Sequence, residues 1–209
     1  MTAAAGGTNV LALAAVTGVT TVSIENGADV AASVTGLATG ATVTIEETAA
    51  VAHTIDTAAG ASVTVNMGAT KAGSNVTVTD AASVTLGGRA ATGDMVATVL
   101  DDVDTTALSI NTTAANDIDT GAITSTDQLA SIAATTAADG GTITTGAVAD
   151  ASSLASLTLT GVGGDITMTT IGNGGGADVA AQLATINATA TDGSDIIVGD
   201  LSADTTTDS

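Results

Sequence analysis

The chain has 209 residues, a formal net charge of −20, and no Phe, Tyr, Trp, Pro or Cys. The missing Cys excludes a disulfide scaffold and a thiolate metal site, and the charge repels nucleic-acid phosphates and anionic membrane surfaces. Aromatic rings bury roughly 150–250 Å² each; without them the interior must be narrow enough for Val, Ile, Leu, Ala and Thr to fill it, as in a solenoid. An apolar share of 44%, set in β-branched runs, argues for a folded chain and against disorder.

No stretch reaches the roughly 18 consecutive apolar residues of a membrane span. Val10–Val22 is mildly apolar, but no basic segment precedes it, so a Sec signal peptide is not expected. From there the chain takes up a rhythm. VSI at 22–24, VTI at 43–45, VTV at 63–65 and VTL at 84–86 recur every 20 or 21 residues, with Val34, Ile55 and Val76 between them. Within GATVTIEE, GASVTVN and GSNVTVTD the alternation has period two, which reads as half-buried strands. Gly-Ala, Asn-Gly, Thr-Gly and Asp-Ala separate the runs and supply turns. A coil of two strands and two turns takes about 21 residues, the scale of solenoid repeats. An antiparallel meander would give the same ten-residue rhythm; the likeness of every second strand favours the stacked coil.

Thr and Ser flank these apolar centres (Thr42 and Thr44, Ser62 and Thr64, Thr77 and Thr79, Ser83 and Thr85). Such residues suit the solvent side of a strand, and in a stack they would form outward ladders resembling the Thr surfaces of ice-binding proteins. The rhythm breaks near 94–106, where Met95, Val96, Val99, Leu100 and Val103 are spaced for one short helix. Asp178–Leu183 and Ser125–Leu129 are two further short-helix candidates, each leading into a strand.

Beyond the seam the unit lengthens. Ile110, Ile132, Leu157 and Ile186 serve as first anchors, 22, 25 and 29 residues apart. A five-residue step then recurs four times: Ile118 to Ile123, Ile143 to Val148, Ile166 to Ile171 and Ile196 to Leu201. Repeats of this length imply stacked units, each burying its apolar face on its neighbours.

Residues 1–93 carry six acids and both bases, Lys71 and Arg89, whereas 94–209 carry sixteen acids, all Asp, and no base. Asp reaches back to its own loop and suits turns and short-range cation ligation. Gly193-Ser194-Asp195-Ile196-Ile197-Val198-Gly199 fits the half-turn G-x-D-x-(apolar)-x-G of RTX nonapeptides, in which carboxylates and turn carbonyls bind calcium between coils. IGNGGGAD at 171–178 is a degenerate second copy. The competing reading is a Gly/Asp turn that holds no ion.

The units LASLTLTGVGGDITMTTI and LATINATATDGSDIIVGDL, with their Thr/Ala/Gly/Asp bias, resemble RTX-type surface-layer (S-layer) proteins of Gram-negative bacteria exported by type I secretion. The resemblance implies β-solenoid domains, an extracellular cell-surface location and calcium-dependent assembly into a lattice. It is best over 107–209 and stylistic over 20–90; the chain departs from the pattern in lacking a full RTX block.

Catalytic readings are poor. His53, in VAHTID, is the sole histidine and lies at a strand position with no nucleophile motif near it. Paired carboxylates for glycoside chemistry would want aromatic platforms for the sugar. IGNGGGAD does not open a dinucleotide-binding unit. The reading is therefore an all-β, right-handed parallel β-solenoid (β-helix) in two stacked segments, 1–93 and 107–209, with short helices at the seams. The expected function is structural and non-enzymatic: a calcium-dependent surface layer or sheath built from copies of itself. A rod-like segment of an RTX adhesin is the alternative, and an ice- or surface-binding protein a third class. Cell-surface polysaccharide is a further candidate partner. Asp195, Asp200, Asp192, Asp165, Asp178 and Asp204 are the candidate calcium ligands, with Asp101, Asp102 and Asp104 as a second cluster.

Overall fold

A computed structural model describes residues 8–26, 31–47, 51–67, 74–88, 95–100, 105–113, 117–124, 128–149, 151–172 and 183–201. The strands are β1 (Asn9–Ala12), β2 (Thr21–Asn26), β3 (Ala32–Leu37), β4 (Ala41–Glu47), β5 (Ala52–Met67), β6 (Ser74–Gly88), β7 (Met95–Leu100) and β8 (Ala107–Asn111). They continue as β9 (Ile118–Asp119), β10 (Ile123–Thr124), β11 (Ser131–Thr135), β12 (Ile143–Thr145), β13 (Ser156–Val162), β14 (Ile166–Ile171), β15 (Thr185–Thr191) and β16 (Ile196–Leu201). Every pairing between them is parallel. The chain is a β-solenoid, and the described residues of 1–93 follow the stacked coil rather than the meander.

Three walls can be traced by register. The first follows β2, β4, the second arm of β5, the second arm of β6, β8, β11, β13 and β15. Its inward column is Val22–Val43–Val65–Leu86–Ile110–Ala134–Leu159. The second wall follows β1, β3, the first arms of β5 and β6, then β7 and β10, and continues through single bridges at Val148 and Ile171. One column there passes through nine coils: Asn9, Ala32, His53, Val76, Thr98, Ile123, Val148, Ile171 and Leu201. Among the described residues a third wall, the four-stranded sheet β9, β12, β14 and β16, occurs only in the later coils.

The core is the line of space between the walls. Val34, Ile55 and Val78 face Val43, Val65 and Leu86 in the early coils, and Ile118, Ile143 and Ile166 join from the third wall later; all are buried. Stacked sheets lie about 10 Å apart, a gap that branched aliphatics bridge without rings. Each fully buried Val, Leu or Ile stabilises the fold by about 1.5–3 kcal/mol.

The five-residue step is borne out at every position. Ile118, Ile143, Ile166 and Ile196 are register partners, and so are Ile123, Val148, Ile171 and Leu201. Three registers differ from the sequence reading. Val43 pairs with Val65, not Val63, and Ile55 with Val78, not Val76. Leu108, not Ile110, is the partner of Ile132, so that coil is longer by two residues, one facing inward and one outward. In each case the motif spacing is correct to a multiple of two, which keeps the apolar side inward; the corner length then selects which neighbour is met. At the β5–β6 corner, four residues (57–60) oppose the single residue Asp80. Gly60 (φ 73°) and Asp80 (φ 61°) turn the chain there in the left-handed region.

Where a helix is expected near 94–106, the described residues Met95–Leu100 form a strand, β7, paired with β6, and 94 and 101–104 lie outside the described residues. Val96, Thr98 and Val99 are β-branched, and the β6 edge offers ladder hydrogen bonds that a single helical turn would forgo. Because β6 also pairs with β8, the first wall continues past this stretch. Among the described residues there is no helix; Gln128, Leu129 and Leu183 are non-helical, and the rest of those two candidates lies outside the described residues. No helix among them is long and apolar enough to cross a membrane.

Candidate functional site

The aspartates collect where the first wall turns into the third. Asp117, Thr142, Asp165 and Asp195 each precede the isoleucine that opens a third-wall strand, so they form one column up the corner. Asp139 and Asp192 lie in the same set of turns, Asp192 with φ 54°.

Hydrogen bonds explain the column. Asp117 Oδ1 accepts from the Thr142 backbone N–H and from its hydroxyl, both at 2.8 Å. Asp165 Oδ1 accepts from the Asp195 N–H at 2.8 Å. Asp119 Oδ1 closes its own turn by accepting from Gly121 N–H at 3.0 Å. A turn between walls leaves backbone donors without a ladder partner, and an Asp side chain is short enough to reach them. Charge-assisted acceptors of this kind are the stronger class of hydrogen bond.

The same corners use buried threonines, which sequence reasoning missed. Thr112 Oγ1 accepts from Ala137 N–H at 2.8 Å. Thr136 Oγ1 accepts from Val162 N–H at 2.8 Å and donates to Gly164 C=O at 2.9 Å. Both residues are buried. Their signal is the doubled Thr at the strand ends, NTT at 111–113 and TTA at 135–137, where one Thr of each pair, Thr112 and Thr136, falls on an inward position.

The expected calcium ligands are only partly brought together. Asp192 and Asp195 share one turn, and Asp165 lies one coil below Asp195. Asp200 is opposite Thr170 at the far end of β16; at about 3.3 Å per residue its Cα is on the order of 15 Å from that of Asp195. Asp178, Asp204, Asp101, Asp102 and Asp104 lie outside the described residues. Calcium takes six to eight oxygen ligands. Among the described residues no group of three or more His, Cys, Asp or Glu could hold a metal ion, and Asp165 already accepts from the next coil. Among the described residues, the candidates do not by themselves make a complete calcium site within one copy.

The RTX-like half-turn has a structural explanation of its own. Gly193 adopts φ 83° to turn the chain, and a Cβ at Gly199 would overlap the Thr169 backbone of the coil below. Both glycines are required by turning and stacking.

His53 is buried at 1% exposure in the second wall, between Ala32 and Val76, and its Nδ1 accepts from Ala32 N–H at 3.3 Å. Burial lowers its pKa below the usual histidine value. A ring enclosed between coils cannot reach a substrate in solvent.

The outward side of the first wall is chemically distinct from the corners. One column reads Thr21–Thr42–Thr64–Thr85–Ser109–Ala133–Thr158–Asn187, and the next Ser23–Thr44–Asn66–Gly87–Asn111–Thr135–Thr160–Thr189. Glu25 and Glu46 are register partners at the end of the first two strands. From the second arm of β5 to β15, no outward position of this wall carries a charged residue. At the end of the stack Ile186 is 51% exposed, since among the described residues β15 pairs with β13 alone. No protein-family model, curated protein or solved structure matches this chain.

Proposed function

We propose that the protein is a structural subunit of an extracellular surface layer or sheath, one that associates with copies of itself and works as a scaffold without catalysis. The observation that carries this reading is the column of register partners running unbroken from Asn9 to Leu201. It makes the chain a rod whose sides repeat every coil, about 4.8 Å apart, and a repeating side suits association with another repeating side. Burial of the sole histidine removes the usual general base from solvent and supports the non-enzymatic reading.

Calcium enters the proposal between copies. The acidic turns at Asp165, Asp192 and Asp195 give part of a ligand set, and turns of a neighbouring copy would complete it while relieving like-charge repulsion. The test is calcium titration of the full chain, followed by light scattering and electron microscopy. Ordered sheets or filaments that disperse with chelator are expected. A chain that stays monomeric and merely gains thermal stability with calcium would instead be a rod segment of an adhesin.

A further inference from the structure

We infer that the uncharged outward side of the first wall is the surface on which two copies of this chain meet. The inference rests on the self-associating reading above and names its contact face. Its first support is charge. In a chain of net charge −20, the third wall and its corners carry Asp117, Asp119, Asp165, Asp195 and Asp200, so two copies approaching there set carboxylate against carboxylate. The first wall from β5 to β15 offers only Ser, Thr, Asn, Ala, Gly and Val at its outward positions. It is a broad side of the rod, free of a carboxylate such as the Asp56 of the second wall, on which two copies can come close without that penalty.

The second support is chemical self-complementarity. A two-fold contact places the same patch on both partners. A carboxylate array is its own repellent. A hydroxyl array is its own complement, because each Ser or Thr has one donor and two acceptor lone pairs and its proton rotates to suit. Small side chains also let two sheets approach to about the usual 10 Å or closer. The third support is area. Six strands at about 4.8 Å, each showing about five residues at 3.3 Å, present on the order of 480 Å² per copy. Twice that, roughly 950 Å², is the size of a weak, reversible contact, which falls below about 1,200 Å².

The experiment uses the full chain at neutral pH in chelator, by sedimentation equilibrium over a wide concentration range. Variants Thr85→Glu and Ser109→Glu put charge in the centre of the face, where the side chains are half-buried and point outward. Thr144→Glu puts it on the outward side of the third wall as a control, and circular dichroism checks that each variant folds. The native chain and Thr144→Glu are expected to dimerise, with Thr85→Glu and Ser109→Glu weaker by about tenfold or more. If all four associate equally, the face assignment is overturned while the self-associating reading stands. A native chain that is monomeric in chelator overturns the face assignment, and one that is monomeric in calcium as well overturns both. A monomer that shapes ice crystals or sediments with neutral polysaccharide assigns the face to another occupant and likewise overturns the inference.

Discussion

The early and late coils solve the same packing problem in different ways. Among the described residues of 21–88 a coil has two walls, and β5 and β6 run through the corner between them as single strands of 16 and 15 residues. The bend there is made by backbone conformation, at Gly60 and Asp80. In residues 107–201 a third wall is added, strands shorten to as few as two residues at β9 and β10, and the coil lengthens. More corners leave more backbone groups without ladder partners, and side chains take them up: Thr112, Thr136, Asp117, Asp119 and Asp165. The rise in Asp across the chain therefore has a structural cause as well as any ionic one.

Breaking the shared element should have the largest effect. Leu157 is fully buried in the first wall of the late coils, and Leu157→Ala is expected to cost about 2–5 kcal/mol in urea unfolding. Val65→Ala in the early coils should cost less, since a smaller side chain is removed and a smaller cavity is left. If the two losses are equal, the early coils are as dependent on each core residue as the late ones, and the contrast in packing fails.

The corner contrast is sharpened by Thr136→Val. The substitution keeps the shape but strands Val162 N–H and Gly164 C=O, and a loss of about 1–3 kcal/mol is expected. Thr85→Val, on the outward side of the same wall, should change stability by about 0.5 kcal/mol or less. Thermal unfolding of the two side by side checks this, and equal losses would remove the special role of the corner hydroxyls.

A smaller, pH-dependent effect belongs to the early coils alone. His53 has its folded-state pKa lowered by burial, so the unfolded chain takes up the proton first. The stability from this group is fully present above the unfolded value near 6.5 and falls as pH drops through it toward the folded pKa. Unfolding midpoints measured from pH 8 to pH 5 should fall more steeply in the native chain than in His53→Val. Parallel slopes would mean that the carboxylates alone set the acid response.

How much was legible beforehand differs between these regions for the same reason. The step from Ile118 to Ile123 and its three repeats was readable because short third-wall strands are fixed at both ends by Gly, Thr and Asp turns. The partners of Val43, Ile55 and Ile132 were each misplaced by two residues, since VTV, VTL and their kin present equally good apolar pairs at either register. The helix at Met95–Leu100 was an error of local pattern, overridden by the open β6 edge. The calcium reading of Asp165 and Asp195 takes residue type as its signal and stands as the proposal above; the hydrogen bond from Asp195 N–H to Asp165 Oδ1 depends on which coil lies next, which no local motif records.

Composition and period by themselves determined that this chain is a slender parallel stack: without rings or cysteine, small branched side chains every second residue can close only a narrow interior. Tertiary structure decided the rest, namely which rung meets which, where a third wall begins, and that the acids gather at corners and leave one broad side neutral. Those outcomes depend on corner length and on the groups each corner leaves to be paired, and both are properties of adjacent coils together, not of either segment alone.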